Sequence, residues 1–335
     1  MRDETHEGKT WPLLDYARWG FALCVVMIHV ISILKWNAPL LLDYIISSSV
    51  PFFFISSGFL LGVKVNALAE SRDRENALRK YGLRIGRMFL IWITIYAPLA
   101  ICSYWFDPPK EPTLLRFLVV QIRSILLMGV EKYSWPTWYL YSLAIATFAL
   151  LMNVKYKIPK ILIMTIGALG ILSLNLCSHN SEALGSTIVN LSLSFKNMTA
   201  GMLYVTLGLI LSKAKKVKVK SYMIAAISLC ASIVFYIADF PYWEGLAGLA
   251  VFVLLVQKES VHRDRIGVFA SMQSIWVFLL HMYAVTIFFY FTDLPLLGPW
   301  YFWGASCLVV LFVSYFAVIA QIGDTRMASF LRRLT

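Results

Sequence analysis

Ten separated runs of apolar residues, most close to the length that crosses a bilayer, dominate this chain of 335 residues. A helix of about 20 apolar residues spans the ~30 Å hydrocarbon core. The runs are 13–34, 44–63, 88–105, 136–153, 160–177, 198–212, 221–238, 243–256, 269–291 and 299–320. Hydrophobic residues make up 59% of the chain and charged residues only 14%. A soluble domain carries roughly 25% charged residues, so this chain cannot clothe a water-facing surface. Period-2 alternation is absent, which argues against a transmembrane barrel. The expected fold is all-α: a polytopic membrane bundle of about ten transmembrane helices. It forms one integral-membrane domain over 1–335, with no fused soluble domain.

The net charge of +12 needs a different explanation from nucleic-acid binding. Of the 30 Lys and Arg, 24 fall on the side that holds both termini when the ten spans are threaded through a bilayer. The other side holds Lys35, Lys110, Arg116, Arg123, Lys132 and Lys196. Basic residues mark cytoplasmic loops, so residues 1–12 and 321–335 are expected in the cytoplasm. Segment 114–130 is apolar, but Arg116 and Arg123 lie inside it. Charges at mid-bilayer cost several kcal/mol, so it is expected to lie on the outer surface or cap the bundle. The twelve residues before the first span mix both charges, and no small-residue cleavage site follows, so that span is expected to stay as an anchor. The five cysteines are scattered without a CxxC pair, which points to neither a metal site nor a disulfide framework.

Ionisable residues within spans are expensive and mark candidate functional positions. His29 lies in the first span, eleven residues after Arg18. That spacing is almost three turns, so the two share a face ~16 Å apart along the helix. His281 lies deep in the ninth span. Arg84 and Arg87 stand where the charges end and the third span begins, on one helical face by their i, i+3 spacing. Arg forks suit phosphate, and helix N-termini attract anions. Ser56, Ser57 and Gly58 are small enough to let helices approach closely. Taken singly, the histidines and small residues are better explained by interhelical packing, and the arginines by contact with lipid headgroups. The chain has no GxSxG elbow, HExxH, P-loop or GxGxxG.

In this order these features resemble the integral-membrane acyltransferase family called acyltransferase-3. Its members move acyl groups, usually acetyl, onto surface polysaccharides and related acceptors. The family's basic residue, ten residues and then His match Arg18 and His29, with Asp15 three residues before the Arg. Its phenylalanine-rich stretch ending Ser-Gly-Phe matches Phe52, Phe53, Phe54, Ser57, Gly58 and Phe59, with Ser56 where an apolar residue is more usual. Its Arg-x-x-Arg matches Arg84 and Arg87. The stretch from Trp138 resembles its fourth-helix opening, and the aromatic run closing on His281 resembles a further family pattern. Residues 155–265 match only as generic helices.

The resemblance implies a multi-pass enzyme of the plasma membrane, bacterial inner membrane by expectation. It would move acetyl from cytoplasmic acetyl-CoA to a hydroxyl of an envelope glycan, such as O-antigen or a lipid-linked glycan. Succinyl is the other open donor group, and no permanently bound cofactor is implied. Arg84 and Arg87, with Arg18, would bind the acyl-CoA phosphates. The pantetheine arm would then reach His29, as general base or as transient acyl carrier. Asp15 would pair with Arg18 and orient it. His281 would add polar stabilisation, Trp138 would stack on a sugar, and Ser57 is a secondary candidate. Trp105, Trp135, Trp243 and Trp300 suit either sugar stacking or an interfacial belt. The rival expectation is a secondary transporter or flippase of a small solute or lipid-linked sugar. That would call for inverted repeats or broken helices, and no convincing repeat is present.

Overall fold

The computed structural model describes residues 10–106, 113–213, 218–257, 260, 265–292 and 299–322. The terminal segments assigned above to the cytoplasm lie almost wholly outside these residues. So do Arg2, Lys9, Lys110, Lys215, Lys216, Lys258, Arg263, Arg326, Arg332 and Arg333. Among the described residues there are twelve helices, and strand pairing is confined to one bridge between Thr10 and Ser260. The helices are α1 (Pro12–Leu34), α2 (Leu40–Ser47), α3 (Ser49–Asn66), α4 (Ser71–Phe106), α5 (Leu114–Met128) and α6 (Thr137–Tyr156). They continue with α7 (Lys160–His179), α8 (Ser181–Leu211), α9 (Lys218–Ile237), α10 (Trp243–Leu255), α11 (Arg265–Thr292) and α12 (Pro299–Ile322).

Six segments are long and apolar enough to cross a membrane: α1, α2 with α3, α4, α6, α7 and α11. Shorter apolar stretches lie in α9, α10 and α12. The run at 44–63 is divided at Ser48 into two helices. The run at 88–105 is only the latter part of α4, which has 36 residues. The run at 198–212 is the end of α8, which begins at Ser181 and turns at Gly185 (φ 73°, ψ 162°), a conformation glycine adopts without penalty. In each case hydropathy marks the stretch that tolerates lipid, while the backbone ladder runs on into polar sequence.

The chain divides into two compact units, and the division falls between Phe53 and Phe54 within α3. The first unit holds α1, α2, the start of α3 and α9–α12. Here α1 packs on α11 and α12, α11 on α12, and α9 on α10. Pro12 opens α1 where its missing N–H costs nothing, and Lys35 closes it in the left-handed region. Tyr44 of α2 ties down α9 and α10: its hydroxyl meets Ser232 Oγ at 2.7 Å and its ring stacks on Trp243 at 5.4 Å.

The second unit holds the rest of α3 and α4–α8. Its α8 packs against α7 and α6, and α4 packs against α6. A β-carbon on Gly58 would collide with the Val205 carbonyl of α8, and one on Gly208 with the Ile55 carbonyl of α3. The two backbones therefore touch through paired glycines, as small residues permit in membranes. Thr113 caps α5 by accepting from the Arg116 N–H, and Gly129 ends it in the left-handed region (φ 73°). At 15 residues α5 is about 22 Å long, short of the hydrocarbon thickness. Leu115, Val119, Ile122 and Leu126 form an exposed apolar stripe along it, flanked by exposed Arg116 and Arg123. That is the build of an interfacial helix.

Gly208→Ala is expected to lower apparent stability by about 1–3 kcal/mol through overpacking. Gly86→Ala, where an added carbon meets nothing within 4 Å, is expected to be neutral or slightly stabilising. Thermal unfolding of the two variants in detergent checks the contrast.

Candidate functional site

In the first unit α1 and α11 run parallel and touch at two levels. At one, the Arg18 guanidinium donates from Nη1 to Ser271 Oγ at 2.9 Å. At the other, the rings of His29 and His281 stack with centroids 5.1 Å apart and planes 23° from parallel. Eleven residues on α1 thus match ten on α11. The Thr10–Ser260 bridge joins the segments preceding these same two helices. Arg18, His29 and His281 are brought together along one contact, although 252 residues separate the two histidines.

His281 is fully buried, and His29 is half-buried. The Nδ1 of His281 lies 2.9 Å from the Val277 carbonyl oxygen. A carbonyl only accepts, so Nδ1 carries a proton and Nε2 is the lone-pair nitrogen of the neutral ring. That Nε2 is buried without a hydrogen-bond partner. Phe278 sits edge-on to His281 at 6.4 Å, and Phe53 lies 5.7 Å from Phe278. Phe52 packs on Phe21 at 4.3 Å and on Phe252 at 6.4 Å. One residue of the phenylalanine-rich stretch, Phe53, thereby packs on the phenylalanine beside His281.

Further buried atoms on α1, α11 and α12 lack partners: Arg18 Nε, Gln273 Oε1, Thr286 Oγ1 and Ser306 Oγ. Each such group costs about 1–3 kcal/mol when left unsatisfied. The Arg18 guanidinium is held from α11 by Ser271.

The remaining expected site residues belong to the second unit. Arg84 and Arg87 are exposed on α4, with the Arg84 guanidinium 5.3 Å from the Tyr81 ring centre. They lie well inside a helix that starts at Ser71, so the expected help from a helix N-terminus falls away. Their ability to grip phosphate rests on the guanidiniums alone. Ser57 Oγ is 2.8 Å from the Tyr139 hydroxyl, a contact that orders the start of α6. The Trp138 ring carries Lys196 Nζ at 4.2 Å and the Phe54 ring at 5.8 Å. These contacts engage the Trp138 ring within the second unit. Trp243 is likewise engaged, by Tyr44 and Tyr236, while the Trp300 side chain lies outside the described residues.

Residues 11–319 match the model of the acyltransferase-3 family, described as an acyltransferase domain. The chain belongs to this family. No curated relative and no solved structure matches the chain. For an acyltransferase of this kind, the apolar helices make it a multi-pass membrane protein. Among its described residues no group of three or more His, Cys, Asp and Glu gathers as a metal site would require.

Two site features had no signature in the sequence. Ser271 looks like any small residue in a span; its one signal is its place ten residues before His281, echoing Arg18 before His29. Glu131 looks like an ordinary loop acid, yet it is only 4% exposed and its Oε1 has no hydrogen-bond partner. Burial pushes its carboxyl up from the usual 4.5 to about 7. A carboxyl raised in this way contributes its stability in full below the unfolded value, near pH 4.5, and loses it as pH rises through 7. Glu131→Gln does not titrate, so its melting temperature is expected to rise relative to the native chain between pH 5 and pH 8. A constant difference across that range, measured by differential scanning fluorimetry, would show that burial does not tune this carboxyl.

Proposed function

We propose that this chain is an O-acyltransferase that moves an acetyl group from cytoplasmic acetyl-CoA to a hydroxyl of an envelope glycan, such as O-antigen, in a bacterial inner membrane. The observation that carries this reading is the His29–His281 pair, set in the same helix contact as Arg18 and about 16 Å from it. That spacing is comparable with an extended pantetheine arm. Anionic CoA would bind on Arg18 at the cytoplasmic end of the α1–α11 contact, and its thioester would reach the histidines; the family resemblance gives Arg84 and Arg87 their phosphate-binding role.

His29 takes the proton of the acceptor hydroxyl as that oxygen attacks the thioester carbonyl. The carbon–sulfur bond breaks, the new ester keeps the acyl group, and the departing thiolate recovers the proton from the imidazolium. CoA stays in the cytoplasm while the acyl group crosses. Stacking on His281 fixes the plane of the His29 ring, and the unpartnered Nε2 of His281 offers an acceptor to the incoming hydroxyl.

Parallel packing supports the ten-span topology. Two parallel membrane helices need an odd number of crossings between them. The seven expected between the first and ninth spans satisfy this, and an eighth at 114–130 would not. The short, amphipathic build of α5 agrees.

His29→Ala is expected to cut transfer at least ~100-fold, the usual worth of a positioned base, while the protein still inserts and still binds acetyl-CoA. Transfer at the native rate would remove His29 from the mechanism. The Arg84→Ala, Arg87→Ala double variant is expected to bind acetyl-CoA roughly tenfold or more weakly, the loss of charge-assisted bonds to phosphate. Thermal shifts titrated with acetyl-CoA, succinyl-CoA and CoA measure this. No shift of the native protein by any of the three would favour the transporter reading, in which the histidines serve a solute path.

A further inference from the structure

Helix α5 presents three different sides, and its sequence, LLRFLVVQIRSILLM, dictates each of them. At about 100° per residue, Phe117, Gln121, Ser124 and Met128 fall on one side, and Leu115, Val119, Ile122 and Leu126 on the opposite one. The first side is tied to the second unit. Phe117 is buried, with its ring 5.6 Å from the Tyr104 ring of α4. Gln121 Oε1 accepts from the Lys132 N–H at 2.9 Å, and the Met128 carbonyl accepts from Asn197 Nδ2 of α8 at 3.2 Å. The opposite side is bare: all four of its apolar residues are more than half exposed.

Arg116 and Arg123 make the third side. They stand seven residues apart, so they line up along the helix about 10 Å from each other, a quarter-turn from the apolar stripe. Both are exposed, and neither guanidinium bonds a described residue. The helix has no Asp or Glu, so this flank is purely cationic. A soluble anion would answer the guanidiniums and leave the stripe in water. Plain hydrocarbon would answer the stripe and leave the guanidiniums bare. One kind of molecule supplies acyl chains and a phosphate side by side, and that is a phospholipid. An interfacial helix rests its apolar face on such chains while its long basic side chains reach up to the headgroups. Guanidinium forks match phosphate oxygens. A zwitterionic headgroup sets its own ammonium beside the phosphate, whereas an anionic one leaves the phosphate unopposed and attracts each nearby Arg.

We propose that the outer two sides of α5 are a binding surface for anionic phospholipid, with the Leu115–Leu126 stripe on the acyl chains and Arg116 and Arg123 donating to headgroup phosphate oxygens. This surface is distinct from the histidine pair, and it does not depend on the acyl-transfer reading.

The test uses the full-length protein in neutral detergent, titrated with dioleoyl phosphatidylglycerol or with phosphatidylcholine of the same chains. The readout is melting temperature against lipid mole fraction. The native protein is expected to reach half-maximal stabilisation at a roughly tenfold lower fraction of phosphatidylglycerol. In the Arg116→Gln, Arg123→Gln variant that preference falls to within twofold, and the response to phosphatidylcholine is unchanged. Arg72→Gln with Arg79→Gln removes two exposed cations from α4 instead and keeps the native preference. Arg116→Lys with Arg123→Lys retains the charge and keeps it too, which guards against a folding defect in the Gln pair. A native protein without preference overturns the proposal. So does a preference that survives in the Arg116→Gln, Arg123→Gln variant, is lost in the Lys pair, or falls equally in the α4 pair. Equal stabilisation by inorganic phosphate would assign the flank to a free anion and overturns it as well.

Discussion

Two contacts ten to eleven residues apart hold α1 and α11 in register, and the chemistry proposed for the protein depends on that register. Arg18 on Ser271 sets one level, and His29 on His281 sets the other. Slippage by one helical turn, about 5.4 Å, would break the charge-assisted bond and separate the rings together. In an apolar medium neither group finds water as a substitute, so each contact penalises loss of the other. Helices from opposite ends of the chain are joined by polar groups that could not stand alone in lipid.

Apolar packing does the complementary work. In the first unit, phenylalanines from α1, α3, α10 and α11 pack on one another, and Phe278 of this group meets His281. In the second, glycines replace side chains altogether, so α3 and α8 meet backbone to backbone. One helix, α3, therefore supplies both devices: bulk at Phe52 and Phe53, and absence of bulk at Gly58. The sequence PFFFISSGF encodes this change over seven residues.

Much of this was legible in the residues. Arg18, His29 and His281 are conspicuous because each is costly in an apolar run, and the ten runs all fall on helices. Their meeting was not legible, since contact between the first and eleventh helices is a tertiary fact without a local trace. Helix ends were misjudged wherever polar sequence continued a helix: α4 begins at Ser71 although hydropathy rises only near Arg87, and α8 begins at Ser181 within Ser, Asn and Glu residues. Glu131 escaped notice for a different reason. Loop acids are ordinarily solvated, and only the hydrogen bonds of Ser134, Thr137 and Asn197 around its turn reveal that this one is shut in.

The length of α4 has a mechanical consequence. Its 36 residues extend about 54 Å, against a hydrocarbon core of ~30 Å. Measured from Phe106, the core is used up near Arg87, and about 24 Å of rigid rod remains beyond it. A tilt of about 10°, ordinary for a membrane helix, sweeps the Ser71 tip sideways by about 4 Å. Arg84 and Arg87, close to the pivot, move by less than about 1 Å. The rod can lean while its two guanidiniums, close to the pivot, barely move.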